Sequence, residues 1–226
     1  MKRRLKVNGV IMFLVVLGVV VFPGIFLRSQ RFFLGEFAKP WGIFFILFGQ
    51  LLRTSGRGYK AQHSKEGQAL IQGGPYSLVR NPMYLGIFSI GLGIVLVLFQ
   101  WWVMLIFLAV FSIRYILLVF KEEKKLLAVF PLEYPGYLKR TPRLFPNPLG
   151  ISRRDITEYL PLKKDWIKKE IGTALALLLA VLLIESIPDI KTGGLTVYLQ
   201  ELVIISIEIL LFIGMAVYLL KKTAQE

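Results

Sequence analysis

Long apolar runs separated by blocks of basic residues constrain this chain more than any other feature. Residues 10–27, 83–99, 101–120, 171–187 and 197–220 are long runs poor in charge, and 37–52 is a shorter one. A helix of about 20 residues covers about 30 Å, one hydrocarbon core. With 55% hydrophobic residues in 226, the chain has the composition of a membrane protein rather than a soluble domain. The expected fold class is all-α: a polytopic helical membrane protein with about six transmembrane helices.

The basic residues set the orientation. The net charge is +14, which in a soluble domain would suggest nucleic acid. Here the charges fall in alternating blocks. Residues 1–9, 53–80, 121–169 and 221–222 carry 23 Lys and Arg, whereas 28–39, 99–101 and 185–196 carry 4. By the positive-inside rule the rich blocks, and both termini, are cytoplasmic, and no nucleic-acid partner is expected. The basic start (Met1–Lys6) and the apolar run after it would also suit a secretory signal peptide. The run is long and lacks a small-residue cleavage site, which favours an uncleaved first span. There are no cysteines and one histidine, His63. Thiol chemistry and Cys- or His-rich metal sites are excluded, and no metal is expected. His63 reads as a solvated bystander in a polar loop.

The stretch Gly73-Gly74-Pro75-Tyr76-Ser77-Leu78-Val79-Arg80-Asn81-Pro82-Met83-Tyr84-Leu85-Gly86 joins the polar segment 53–72 to the third apolar run. Gly73, Gly74 and Pro75 cannot continue a helix, so the chain turns here with backbone N–H groups available to a ligand. Pro82 suits the first turn of a new helix, where its missing N–H costs nothing. Tyr76 and Tyr84 bring hydroxyl-bearing rings to the membrane edge. A polar pocket at the mouth of a membrane helix is expected.

The third and fourth runs are joined by Gln100-Trp101-Trp102 alone, a tight outer turn. The fourth helix must therefore end beside the start of the third, which brings Glu122 to face Tyr76, Asn81 and Tyr84. Glu122 and Glu123 would otherwise read as an exposed turn paired with nearby lysines. Arg114 lies about 10 Å inside the fourth run. An intramembrane Arg is functional by default, with snorkelling to the interface as the alternative.

Two blocks carry a resemblance. The first is Gly74-x-Tyr76-x-x-x-Arg80-Asn81-Pro82-x-Tyr84-x-Gly86. The second is Glu122-Glu123-x-x-Leu126-x-x-x-Phe130-x-x-Glu133-Tyr134-x-x-Tyr137, followed by Pro142-Arg143-Leu144-Phe145-Pro146. Over residues 40–148 the chain resembles the isoprenylcysteine carboxyl methyltransferase and phospholipid methyltransferase families. It departs from their pattern in having Asn81 for His, Pro131 for Gly and Thr141 for Val.

The resemblance implies S-adenosylmethionine as cofactor, held by Gln68, Ala69, Leu70, Ile71, Tyr76, Asn81, Pro82, Met83, Tyr84 and Glu122. Arg114, Glu122 and Asn81 are the catalytic candidates. A substrate-side Arg of the protein-methylating members falls at Leu118 here, one turn from Arg114. Asn81 offers a donor and an acceptor but no proton or charge near neutral pH. The expected acceptor is a membrane lipid or lipidic molecule at the cytoplasmic face, with an acid or pre-deprotonated group favoured over an amine. Two readings stand beside this one. A sterol-reductase-like enzyme would use NADPH at a similar R-N-P-x-Y turn, and a non-catalytic scaffold would keep the fold alone.

The expected organisation has a methyltransferase core over 1–148, whose cytoplasmic cap is 121–148. A cationic interfacial segment follows over 149–170, then a C-terminal transmembrane hairpin over 171–226. In the interfacial segment Lys and Arg alternate with Ile, Leu and Trp166, with Pro161 breaking it in two. Glu208, halfway along the last run, points to a helix–helix or subunit contact more than to a substrate role. The C-terminal hairpin is the surface on which a homo-oligomer would form.

Overall fold

The computed structural model describes residues 21–27, 34–64, 69–146 and 155–225. The described residues are all-helical, with no strand beyond an isolated bridge between Leu27 and Phe99. In chain order the helices are α1 (Pro23–Phe26), α2 (Leu34–His63), α3 (Pro75–Leu78) and α4 (Pro82–Leu98). They continue with α5 (Trp101–Val129), α6 (Tyr134–Arg140), α7 (Ile156–Tyr159) and α8 (Lys164–Thr223). Of the expected first span, 10–27, only residues 21–27 are among those described.

Among the described residues two helices are long and apolar enough to cross a membrane, Trp101–Val129 and Leu202–Thr223, and Pro82–Leu98 is a shorter apolar helix.

The expected polar loop over 53–72 is corrected in its first half. Residues 53–63 continue α2, which runs 30 residues to His63. Gly56 and Gly58 lower helix propensity there, but each makes room for a neighbour. A Cβ on Gly56 would lie 3.3 Å from Met83, and the indole of Trp166 packs directly against Gly58. Tertiary packing outweighs local preference. His63 is exposed at the helix end, its ring stacked on Tyr59 at 3.9 Å between centroids.

Glycines set how closely α2 and α4 approach. Gly49 and Gly86 face each other so tightly that a Cβ on Gly49 would sit 2.6 Å from the Gly86 carbonyl oxygen. Seven residues away in both directions, Gly42 faces Gly93 in the same antiparallel register. Small residues let helix backbones touch in this way.

Phe99 and Gln100 alone separate α4 from α5, as the tight turn requires. The fourth helix was expected to end near Phe120; α5 instead continues nine residues to Val129, so Glu122 and Glu123 lie within it.

α8 spans 60 residues, about 90 Å if straight. It cannot be straight, because Leu162 just before it donates its N–H to Thr223 Oγ1 at its far end, 3.3 Å away. The element doubles back as a hairpin, and both arms pack on α2. Leu178, Val181 and Ile205 join Ile43 and Ile46 in one buried cluster. Leu219 joins Leu51 and Leu52 in another, with Tyr159 and Leu162. Ion pairs tie α2 to the first arm at two levels. Arg53 and Arg57 meet the buried Glu170 at 3.5 and 2.5 Å, and Lys39 meets Glu185 at 2.5 Å.

Candidate active site

The site is built at the turn between α2 and α4. Gly74 has φ +58°, a conformation that disfavours a side chain, and the Tyr59 ring packs against it. Pro75 starts α3, and the Ser77 hydroxyl donates to the Gly74 carbonyl at 2.7 Å, closing the turn. Val79 is extended, and Asn81 occupies the N-cap position of α4 ahead of Pro82, without a side-chain capping bond.

α5 delivers the two carboxylates to this turn. The Tyr84 hydroxyl donates to Glu122 Oε2 at 3.2 Å. Glu123 turns the other way. Its Oε1 accepts from Arg80 Nη1 at 2.7 Å, and Arg143 donates Nε and Nη2 to its two oxygens at 2.9 and 2.8 Å.

The residues after α5 fold over the turn. Pro135 sits in the first turn of α6, where it is tolerated, and the seven-residue helix ends at an extended Thr141 before Pro142, with Tyr134 and Tyr137 buried on one face. Tyr137 donates its hydroxyl to the Tyr76 carbonyl at 2.7 Å, and the Arg80 N–H donates to the Pro142 carbonyl at 2.9 Å. The two sequence blocks thus form one body. Burial pushes the phenols of Tyr76, Tyr134 and Tyr137 up from their ordinary value, so they are neutral donors near neutral pH.

Between these pieces lies a cavity of about 220 Å³. Ala69, Leu70 and Ile71 line it from the irregular segment before the turn, and Tyr76 from α3. Asn81, Pro82, Met83 and Tyr84 line it from the start of α4, and Glu122 from α5. The structure thus brings these nine sequence-predicted residues to one cavity. Gln68 lies outside the described residues. Arg114 is exposed on α5, outside the cavity lining and eight residues (about 12 Å) before Glu122.

Sequence reasoning missed Lys60, Ser64, Arg80, Ile87, Leu126, Phe130 and Tyr137 as lining residues. Leu126 follows Glu122 by four residues and Ile87 follows Met83 by four, so helical spacing carried a signal for both. Lys60 and Ser64 carried none while 53–72 read as a loop. Among the described residues no group of three or more His, Cys, Asp or Glu could hold a metal.

The match to known proteins covers these same elements. The family model for phospholipid methyltransferases matches residues 11–132, more than half of the chain. The chain belongs to the phospholipid methyltransferase family. It is also similar to the cobalt-zinc-cadmium resistance protein CzcN of Cupriavidus metallidurans, at 31% identity over 134 residues. That alignment covers 54% of this chain, and the chain spans only 57% of the CzcN length. No solved structure matches. Membership places the chain in a family of membrane methyltransferases. The apolar helices Trp101–Val129 and Leu202–Thr223 accord with that.

Proposed function

We propose that the cavity binds S-adenosylmethionine and that the protein transfers its methyl group to a lipid-soluble acceptor at the cytoplasmic membrane face. The observation that carries this is Glu122, held by the Tyr84 hydroxyl and lining one cavity with the residues of the Gly73–Gly86 turn. The lining fits the cofactor's chemistry. Leu70, Ile71 and Met83 offer apolar contact, Tyr76 an aromatic one, and Glu122 an anion for the cofactor's ammonium. When bound, the cofactor supplies a methyl group already activated on a sulfonium. The residues around it have to align the acceptor and exclude water.

The chain's groups bear on the acceptor. Asn81 has no imidazole to take a proton, and the buried phenols of Tyr76 and Tyr137 hold theirs. An acceptor that arrives as an anion needs no base, whereas a protonated amine does. A carboxylate or another pre-deprotonated group is therefore favoured. Ile87 is 45% exposed on the α4 surface and also lines the cavity, a route for a lipidic acceptor to enter from the bilayer.

The topology completes the proposal: about six spans, with both termini and the cavity cytoplasmic. Calorimetric titration of the detergent-purified protein tests the cofactor. Saturable binding of S-adenosylmethionine and S-adenosylhomocysteine, lost in Glu122→Ala, is expected. Binding of NADPH alone would replace this reading with a reductase, which Asn81 in the R-N-P-x-Y turn favours.

A further inference from the structure

Among the described residues the cavity is lined by two cations, Lys60 and Arg80, and one anion, Glu122. They are not equivalent. Arg80 is spent on Glu123, whose carboxylate it meets at 2.7 Å with only 12% of its side chain exposed. Glu123 is neutralised by Arg80 and Arg143 together. Lys60 sits on the last turns of α2, exposed at the cavity mouth, and no ion pair joins it to Glu122. On Glu122, Tyr84 uses Oε2 and leaves Oε1 open to a donor. Among the described residues the cavity therefore presents one uncommitted positive charge and one uncommitted negative charge, delivered by different helices.

We infer that Lys60 and Glu122 grip the two ends of a zwitterion, and that this zwitterion is the amino-acid end of the cofactor. Lys60 takes its carboxylate and Glu122 its ammonium. The inference rests on the cofactor reading above and adds a recognition residue, Lys60, which neither sequence block contains. An ammonium and an acidic group also occur together in a phosphatidylethanolamine head group, so the test must separate the two sources.

The test uses the full chain in detergent and three probes: S-adenosylmethionine, its decarboxylated form, and 5′-methylthioadenosine, which lacks the amino-acid end. Charge-assisted contacts of this kind support roughly tenfold to a hundredfold in affinity each. Wild type should prefer S-adenosylmethionine over the decarboxylated form by about that factor. Lys60→Met should abolish the preference by weakening S-adenosylmethionine alone, and Lys60→Arg should restore much of it. Glu122→Gln should weaken both amine-bearing probes, and neither variant should alter 5′-methylthioadenosine binding.

Unchanged S-adenosylmethionine affinity in Lys60→Met would overturn the inference and leave the cofactor reading standing. So would a Lys60→Met variant that keeps S-adenosylmethionine affinity but loses binding of nanodisc phosphatidylethanolamine, which would assign Lys60 to a head group. Failure of wild type to bind any adenosyl probe would remove the cofactor reading itself, and this inference with it.

Discussion

Arg80 and Glu123 stand 43 positions apart in the chain and 2.7 Å apart in the fold. Arg80 ends the glycine turn and Glu123 begins the exit of α5 toward α6. The same carboxylate also takes Arg143, so one side chain ties three segments together. Removing one partner of a buried pair leaves an uncompensated charge and costs about 3–5 kcal/mol. Arg143 is 42% exposed, and an exposed partner contributes about 1 kcal/mol or less. Glu123→Ala should therefore lower the melting temperature in detergent well beyond Arg143→Ala. Equal losses would show that the three segments are tied elsewhere.

The cavity should feel the roof above it. Tyr137→Phe removes one hydroxyl and leaves the Tyr76 carbonyl, 2.7 Å away, without its donor. The expected cost is about 1 kcal/mol in stability, with a several-fold weaker affinity for S-adenosylhomocysteine because Tyr76 lines the cavity. Thermal unfolding and calorimetry on one preparation check both. A loss of stability with unaltered affinity would confine Tyr137 to packing.

The two helices that frame the turn have no space to spare. A Cβ on Gly86 would lie 2.8 Å from the Gly49 carbonyl oxygen, and one on Gly49 would meet Ile90 at 2.8 Å. Gly49→Ala and Gly86→Ala should each destabilise by about 1–3 kcal/mol through forced separation of the backbones. Gly172→Ala is the control. Nothing lies within 4 Å of a Cβ there, and in a helix interior it should be neutral or stabilising by up to about 1 kcal/mol. The three melting temperatures measure the contrast directly.

At the end of the chain, Asp155 receives Lys222 and the N–H of Thr157. The Lys222 hydrogen bond first, then that of Thr157, holds its carboxyl down at about 2 from an ordinary 3.8. A depressed carboxyl contributes stability that is fully present above the ordinary value and lost as pH falls through 4 toward 2. Hydrogen exchange over residues 216–225, corrected for intrinsic rates, should show protection falling in that window. Asp155→Asn should show lower protection at neutral pH and no such step.

The parts of this fold legible in the sequence are those governed by local rules. Pro82 marks the start of α4, Gly74 marks the turn, and a two-residue link between apolar runs forces Tyr84 toward Glu122. The illegible parts depend on distant partners. Residues 53–63 read as a loop because Gly56 and Gly58 weaken a helix, and the compensating neighbours are Met83 and Trp166. Lys60 was lost with that segment. Glu123 looked like a partner for nearby lysines until Arg80 and Arg143 reached it. The depth of Arg114 was readable, and its position outside the cavity lining was not, since helical phase depends on how α5 leans on α4.

The two levels of ion pairs between α2 and the first arm of α8 have a consequence of their own. Lys39 and Arg53 are 14 residues apart, about 21 Å along the helix. The buried residues between the rungs, Ile43, Ile46, Leu51 and Leu52 on α2, are therefore held in one register against α8, and neither helix can slide past the other without breaking an ion pair.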